Sequence, residues 1–432
     1  MHKFLILRKV WWLVALLLLV TNLTFFDKVD WLLVALGLVG LASWWAVYLF
    51  RAWLALVLVA IRLTFIHDMP VALGYCLISV AVLGLIVLWH DYILSYRQTL
   101  QERQPRQLEL LAECQRPKLD VPTALILTAS DGFGHLVAAK TWSTRLQGMN
   151  VVCVDVFTLM PRGLKLVWQS WEYLAVYVPE AHALIHSLAL RSPRWLSRSV
   201  VHYLSKRLPV TENVVQVITT HPLAAMAASS LLGQTSHTVR GTLVCTDFFI
   251  NPQALDFNFH EVRLPRDLTE GHSEATLEER DILWRELELN THTPTTLVMT
   301  GGSGLVPAEK MYKLLCWLKK CGCAGRQFVL VCGTNETRYQ EAQRQLAHIP
   351  NVRVVRFVAD ISRFYTHFDM VVCKAGGLTT AELLNADSPR IAVWYAFRGQ
   401  EQANLRWFLR NRRGATYVPF FFETALARWQ HA

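Results

Sequence analysis

The first 95 residues hold only ten charged side chains, and four long apolar runs lie at positions 10–26, 31–50, 52–66 and 71–90. A helix that crosses a bilayer needs roughly 20 apolar residues, because each residue rises about 1.5 Å and the hydrocarbon core is about 30 Å thick. The second and fourth runs reach this length. The first is slightly shorter but can still span, because Trp11 and Trp12 at its start suit the membrane interface, where aromatic rings are favoured. The third run is shorter and contains Arg62. We therefore predict a transmembrane region of about four helices over residues 1–95, with two spans as the alternative.

The charges that flank this region predict its orientation. Lys3, Arg8 and Lys9 precede the first run, and residues 97–118 carry five basic against three acidic side chains. Because basic flanks remain on the cytoplasmic side, both ends of the region are expected in the cytoplasm, which requires an even number of spans. We predict a multi-pass protein of the inner (cytoplasmic) membrane, with an amphipathic linker helix over 96–120 and the following domains in the cytoplasm.

From residue 121 the pattern changes to short β-branched apolar runs separated by helical stretches. This alternation is typical of parallel sheets in doubly wound α/β domains. A polar interval at 261–294 divides the strands into two groups, so we predict an N-terminal domain over 121–262, a linker over 263–294 and a C-terminal domain over 295–432. The predicted strands cover 124–128, 151–156, 214–219, 242–246, 296–300, 328–332, 352–356, 370–373 and 391–394.

The composition excludes several classes of protein. With 53% hydrophobic and 18% charged residues, the chain is too apolar to be intrinsically disordered. Its nine cysteines have no repeated spacing, which argues against a secreted disulfide scaffold and favours reduced, buried thiols. The formal net charge is +10, and part of the excess lies in an amphipathic pattern at 191–207. That pattern suits anionic lipid headgroups or a core helix with a solvated basic face, and without a nucleic-acid-binding motif we expect no nucleic-acid partner.

A glycine-rich turn follows the first predicted strand of the N-terminal domain. Residues 125–135 read Leu-Ile-Leu-Thr-Ala-Ser-Asp-Gly-Phe-Gly-His, and a helical pattern starts near His135. Gly132 and Gly134 permit a tight turn, and an imidazole at such a helix start can abstract a proton near neutral pH. His135 is therefore a candidate catalytic residue, with Asp131 as the carboxylate of the same turn. A surface turn with an incidental histidine is the alternative.

Two glycine-rich turns follow strands of the C-terminal domain. They are Thr300-Gly-Gly-Ser-Gly304 and Lys374-Ala-Gly-Gly-Leu-Thr-Thr-Ala-Glu382. A helix that starts after such a turn presents free N–H groups and the positive end of its dipole to an anion. We therefore predict a diphosphate site at these turns. The residues expected there are Gly302, Gly304, Gly376, Gly377 and Thr379.

Polar side chains beyond these turns suggest a nucleotide sugar. Glu382 lies further along the second helix, where a carboxylate can accept hydrogen bonds from a ribose diol; an ordinary solvated glutamate is the alternative. Gln400, Glu401 and Asn404 follow the next strand, and their amides and carboxylate suit vicinal sugar hydroxyls, although this signal alone is weak. The chain lacks Gly-x-x-x-x-Gly-Lys-Ser/Thr, so a P-loop ATPase is not supported.

Taken together, these motifs resemble the monogalactosyldiacylglycerol synthase and processive diacylglycerol glucosyltransferase group of glycosyltransferase family 28, over roughly residues 122–418. The lipid-II-forming N-acetylglucosaminyltransferase of peptidoglycan synthesis is a more distant relative. The resemblance is carried by Leu125 to His135, Thr219-Thr-His-Pro222, Thr246-Asp-Phe248, Gly301 to Gly304, Val331-Cys-Gly-Thr-Asn335, Lys374 to Glu382 and Gly399-Gln-Glu-Gln-Ala-Asn404.

The resemblance implies an α/β fold of the GT-B type, with two Rossmann-like domains preceded in this chain by the transmembrane region. It implies a UDP-sugar in the C-terminal domain, a membrane lipid acceptor bound by the N-terminal domain, and a single inverting displacement without a metal or other cofactor. His135 falls on the glycine-loop histidine of the family, as general base or as the group that positions the acceptor hydroxyl. The residues expected to contact substrates are Gly134, Gly302, Gly304, Gly376, Gly377, Thr379 (diphosphate), Glu382 (ribose), Gln400, Glu401 (sugar) and Asn404.

The resulting hypothesis is a membrane-anchored transferase that moves a hexose from a UDP-sugar to a diacylglycerol-type or polyprenyl-linked lipid. The interval from Asp247 to Pro265 is short for the family, so a strand–helix unit is expected to be shortened or lost. By the same resemblance, Arg356-Phe357-Val358 stands where a Gly-aromatic-Val turn would frame the base, and the closing helices that usually brace the two domains are expected to be missing from a sequence that stops at Ala432. The alternatives are a catalytically degraded module that binds nucleotide sugars and recruits or regulates an assembly, and a sugar-nucleotide 2-epimerase, which the predicted spans disfavour.

Overall fold

The computed structural model describes residues 106–118, 120–130, 132–161, 165, 194–209, 213–234, 239–248, 259–269, 273–321, 325–386, 390–397 and 400–418. The predicted transmembrane region, residues 1–95, lies outside the described residues. Within the described ranges, no helix is both long enough and apolar enough to cross a bilayer.

The first α/β domain is built on a parallel sheet. Its strands are β1 (Thr123–Thr128), β2 (Asn150–Asp155), β3 (Val214–Thr219), β4 (Arg240–Val244) and β5 (Glu261–Arg263). They pair in the order β2-β1-β3-β4-β5. All six residues of β1 are buried, as expected for a central strand covered on both faces. Strand β2 lies on one side of β1, whereas β3 and the strands that follow it lie on the other side. The carboxyl ends of β1 and β3 are therefore the switch point of the sheet.

The second domain contains a six-stranded parallel sheet. Its strands are β6 (Thr295–Met299), β7 (Gln327–Val331), β8 (Val352–Val355), β9 (Met370–Lys374), β10 (Arg390–Tyr395) and β11 (Ala415–Tyr417). They pair in the order β11-β10-β9-β6-β7-β8, which is the strand order of a Rossmann fold. The switch point lies between β6 and β9, so a ligand crevice is expected where these two strands end.

Helices connect the strands and cover both sheets. They are α1 (Phe133–Arg145), α2 (Arg194–Ser205), α3 (Pro222–Gln234), α4 (Pro265–Leu268), α5 (Leu277–Glu286), α6 (Ala308–Cys321), α7 (Glu336–Leu346), α8 (Gly377–Asn385) and α9 (Gln400–Asn411), with a 3-10 helix at Ile361–His367. Helix α5 lies in the interval predicted as a linker, and its Leu283 and Trp284 pack into a core cluster of the second sheet.

The predicted strands are confirmed, each as a strand displaced by no more than two residues at its ends. Two strands of three residues, β5 and β11, were not predicted, because they lie at sheet edges and have no sustained apolar run. The interval from Asp247 to Pro265 was expected to have its strand–helix unit shortened or lost, and its strand is present in short form, since the three-residue β5 lies there and pairs with β4. The strand is retained because three residues suffice for a short edge ladder.

The predicted linker helix over 96–120 is helical at 106–114 among its described residues. Leu110 lies in one cluster with Phe133 and Leu136 of α1, against which Phe357 of the second domain packs. The Gln107 side chain donates to the Ser130 carbonyl at 2.7 Å, and the Lys140 ammonium of α1 pairs with Glu113. This helix is therefore packed against the turn that precedes His135.

Candidate active site

His135 lies at the switch point of the first sheet. Helix α1 begins at Phe133, directly after β1, and the imidazole is 8% exposed. Its Nδ1 lies 2.6 Å from the Thr220 carbonyl oxygen, which follows β3, and 3.0 Å from the Thr246 hydroxyl, which follows β4. The ring of His221 stands edge-on at 4.6 Å. The ends of three strands thus fix the imidazole.

The hydrogen bonds around this imidazole determine its tautomer. A carbonyl oxygen can only accept, so the Nδ1 atom of His135 carries the proton that it donates to Thr220. In the neutral ring, Nε2 is then the basic nitrogen. An imidazole held in this tautomer has the form required of a general base. Asp131, the other predicted catalytic residue, lies outside the described residues.

The glycines of the Thr300–Gly304 turn serve close packing. A Cβ on Gly302 would lie 2.7 Å from the Phe133 ring of the first domain. Gly304 has φ +60, and a Cβ there would collide with the Cys332 carbonyl oxygen. Only glycine therefore fits at these two positions. Gly134, the predicted substrate contact on α1, lies against Leu378 of the second domain, with its Cβ position 3.6 Å from that side chain.

The amino end of α8 follows β9 at the second switch point. Gly376 is the N-cap residue in an extended conformation, and no side chain caps the helix. A Cβ on Gly376 would meet only the Thr379 hydroxyl, at 3.8 Å. Gly377 is enclosed, since a Cβ there would lie 2.8 Å from the Asp247 Cα and closer still to the Thr246 carbonyl oxygen. The predicted diphosphate surface is therefore open at Gly376 and covered by the first domain at Gly377.

Lys374 places a cation beside this helix end. Its Nζ lies 2.5 Å from Glu401 Oε1, with both side chains largely buried, and 4.7 Å from the centroid of the Phe397 ring. The amide of Phe397 donates to Glu401 Oε2 at 2.9 Å. A Cβ on Gly301 would lie 3.1 Å from Lys374 Cε, so the lysine lies between the two glycine turns. Both carboxylate oxygens of Glu401, predicted as a sugar contact, thus have partners within the protein.

Glu382 lies on the second turn of α8 and accepts a hydrogen bond from the Tyr365 hydroxyl at 3.0 Å. Tyr365 belongs to the 3-10 helix and is 1% exposed. Burial raises the pKa of Glu382 to about 7, against which the Tyr365 hydrogen bond acts in the opposite direction. The sequence did not indicate Tyr365, because it precedes the glycine turn and lies in no recognised motif.

Asn404 joins the two domains. It is fully buried on α9, where its Oδ1 accepts from the Phe248 amide at 2.8 Å. Its Nδ2 donates to Asp247 Oδ1 at 2.7 Å and to the Ala375 carbonyl at 3.2 Å. The Phe248 ring stacks on Trp407 with centroids 3.7 Å apart and planes at 11°. Gln400 starts α9, as predicted, on the same helix as Asn404.

The sequence predicted the candidate residues of this site but few of the groups that contact them. His135, Gly376, Glu382, Glu401 and Asn404 all lie at the carboxyl ends of strands or on the helices that follow. Their partners were recognised only as members of motifs, or not at all. The partner groups are Thr220, Thr246, Phe248, Tyr365, Lys374 and Trp407.

Comparison with known proteins identifies the second domain. Residues 296–418 match the glycosyltransferase family 28 C-terminal domain. A probable monogalactosyldiacylglycerol synthase 3 of Oryza sativa subsp. japonica is 32% identical over 155 residues, which are 35% of this chain and 30% of the relative. A UDP-N-acetylglucosamine–N-acetylmuramyl-(pentapeptide) pyrophosphoryl-undecaprenol N-acetylglucosamine transferase of Acetivibrio thermocellus is 25% identical over 143 residues, 32% of this chain and 37% of that protein.

The chain therefore spans about a third of the length of the curated relatives that it matches. Among solved structures, MurG of Acinetobacter baumannii superposes with a TM-score of 0.39 at 15% identity, covering 72% of this chain and 90% of that one. The family match covers both glycine turns of the second domain, Lys374, Glu382 and the start of α9. Over residues 296–418 the chain is thus similar to the C-terminal domain of glycosyltransferase family 28.

Proposed function

We propose that this protein is an inverting, UDP-sugar-dependent glycosyltransferase of the GT-B type that transfers a hexose to a membrane lipid. The observation that carries the proposal is the uncapped amino end of α8, open at Gly376 and flanked by Lys374, within the part of the chain that matches family 28. Free N–H groups, a positive helix end and an ammonium group together form a site for a diphosphate. This site lies beside the segment from Thr246, which also contacts His135.

The donor would lie across α8. Its diphosphate would accept from the first-turn amides near Gly376 and Thr379, with Lys374 as counter-charge. The Glu382 carboxylate, oriented by Tyr365, would accept from the ribose hydroxyls. Gln400 and Glu401 would face the sugar, with the pair between Lys374 and Glu401 holding the carboxylate in place.

The transfer follows from these positions. The acceptor hydroxyl oxygen forms a bond to the anomeric carbon while the bond from that carbon to the diphosphate oxygen breaks, which inverts the configuration. The hydroxyl proton passes to Nε2 of His135, whose Nδ1 proton is held by Thr220. The negative charge that develops on the departing UDP is stabilised by the amino end of α8 and by Lys374. No metal is part of this scheme.

A lipid acceptor is proposed on two grounds. The names of two relatives specify a diacylglycerol product and a pyrophosphoryl-undecaprenol substrate, both of which are membrane lipids. The sequence predicts membrane spans over residues 1–95, which would hold the active site at the surface where such lipids present their hydroxyls. Anchoring in the inner membrane, with the catalytic domains in the cytoplasm, completes the proposal.

Binding and transfer test the proposal separately. Calorimetry on detergent-purified full-length protein should detect UDP binding at or below millimolar concentration. Membranes that contain the protein should then be incubated with labelled UDP-glucose, UDP-galactose or UDP-N-acetylglucosamine and extracted with organic solvent. We expect label in the lipid fraction from at least one donor; binding without lipid label from any donor would refute a lipid acceptor.

His135→Ala examines the catalytic assignment. Loss of a general base should reduce transfer by about 10²–10⁴-fold while UDP affinity is retained. His348→Ala is the matched control, because His348 is an exposed histidine beyond α7 and should leave transfer unchanged. Full activity of His135→Ala would remove this residue from the mechanism.

A binding module without transfer activity is the second candidate function. The engagement of both Glu401 oxygens by Lys374 and Phe397 favours it, because those oxygens are then less available to a sugar. A module of this kind would bind UDP yet transfer no label from any donor, even to a total lipid extract. Transfer by the wild-type protein that is lost in His135→Ala would exclude this candidate.

A further inference from the structure

The segment Thr246-Asp247-Phe248 contacts the candidate base on one side and the donor domain on the other. The Cys245 amide donates to the Arg263 carbonyl at 2.8 Å, as the ladder between β4 and β5 ends. Immediately afterwards, the Thr246 hydroxyl lies 3.0 Å from His135 Nδ1, and its carbonyl oxygen lies against Gly377. Asp247 and the Phe248 amide then bond to Asn404.

We propose that Thr246-Asp247-Phe248 is a positioning segment that couples the seating of the donor domain to the orientation of the His135 imidazole. The proposal rests on the proposed transferase function and adds to it three residues that touch neither donor nor acceptor in that scheme. Phe248 contacts the donor domain through Asn404 and Trp407 on α9. Thr246 contacts the His135 imidazole, so a displacement of Phe248 would also displace the group beside the base.

The short length of the segment makes this coupling physically effective. Only one residue separates the Thr246 hydroxyl that meets His135 from the Phe248 ring that stacks on Trp407. A shift of α9 that breaks this stack and the bond from the Phe248 amide to Asn404 would therefore displace Thr246 as well. Displacing a catalytic group by about 1 Å can cost about 10²-fold in rate, so the base would be correctly placed only with the donor domain docked.

The contact with His135 can be tested with two substitutions of Thr246. Thr246→Val retains the shape but removes the hydroxyl that meets Nδ1, whereas Thr246→Ser retains the hydroxyl. We expect Thr246→Val to lower kcat about tenfold with an unchanged donor KM, and Thr246→Ser to recover most of the rate. A purely structural role would affect both variants through stability and would not separate kcat from KM.

The coupling itself requires a double substitution. Phe248→Leu removes the stack on Trp407, and we expect it to lower kcat about tenfold while UDP affinity is retained. If Phe248 acts through Thr246, kcat of the double variant Thr246→Val/Phe248→Leu should fall no more than about tenfold. The Thr246→Val change already removes the contact with His135 through which Phe248 would act. Independent losses that multiply to about a hundredfold would overturn the proposal. Arg410→Ala, exposed on α9, is the control.

Trp407→Leu removes the same ring stack from the side of the donor domain and replaces Phe248→Leu if that variant fails to fold. It should likewise lower kcat about tenfold while UDP affinity is retained.

Hydrogen exchange provides a readout that does not depend on transfer. In the wild-type protein, UDP should slow exchange of the Phe248 amide, which donates to Asn404, and leave α7 unchanged. Unaltered exchange at Phe248 with UDP bound would refute coupling, whereas absence of UDP binding or of wild-type transfer would refute the proposed function instead.

Discussion

Gly377 offers the sharpest test of the contact between the two domains. It is the first residue of α8, and replacing it by alanine would place a methyl group 2.8 Å from both the Cα and the Oδ1 of Asp247 and closer still to the Thr246 carbonyl oxygen. Backbone atoms cannot turn aside as a flexible side chain can. The amino end of α8 and the end of β4 must therefore separate by about 1 Å, a displacement that can cost about 10²-fold in rate.

The expected result is a loss of transfer without a matching loss of donor binding. The methyl group of Gly377→Ala points toward the first domain, so the first-turn amides remain available to a diphosphate. We expect kcat to fall about 100-fold, equivalent to about 2.7 kcal/mol of transition-state stabilisation, while the UDP dissociation constant changes by no more than about threefold. Transfer of labelled sugar to lipid and calorimetry with UDP measure the two quantities.

Gly376→Ala is the matched control, one residue earlier on the same turn. Its methyl group would meet only the Thr379 hydroxyl, at 3.8 Å, and its backbone conformation is open to alanine. The domains should therefore remain docked, but the methyl group would stand where the diphosphate is proposed to lie, so UDP affinity should fall at least about tenfold. Normal transfer by Gly377→Ala, or normal UDP affinity of Gly376→Ala, would contradict this account of the turn.

Three further predictions concern ionisation and packing. Because burial raises the pKa of Glu382 to about 7 and a ribose requires its ionised form, UDP-glucose affinity should fall about tenfold between pH 8 and pH 6; calorimetry should find weaker, pH-independent binding in Glu382→Gln. Lys374→Met leaves the buried Glu401 carboxylate without its cation and should cost about 3–5 kcal/mol of stability by urea unfolding in detergent, most of it recovered by adding Glu401→Gln. Trp284→Ala, at a position 3% exposed in the core of the second sheet, should cost about 3–5 kcal/mol in the same assay, and a loss below about 1 kcal/mol would contradict its placement there.

The fold was largely readable from the sequence because buried parallel strands carry a strong local signal. Strands such as β1, β6 and β9 are continuous apolar runs between helical patterns, and each was predicted. The edge strand β5 was missed because Glu261-Val262-Arg263 has the composition of a loop. Its strand conformation depends on a ladder with β4, which is a distant contact that no local pattern contains.

The chain alone also led to the candidate site residues, since glycine turns after strands mark the ligand edge of a parallel sheet. Tertiary structure decided what each residue contacts. His135 acquires its tautomer from the Thr220 carbonyl, a backbone atom without any sequence signature, because the sheet order brings β1 beside β3. Asn404 bonds to Phe248 because the two domains dock at the switch points of their sheets. Local sequence fixes the conformation and chemical character of each turn, whereas strand order and domain docking determine which distant atoms meet there.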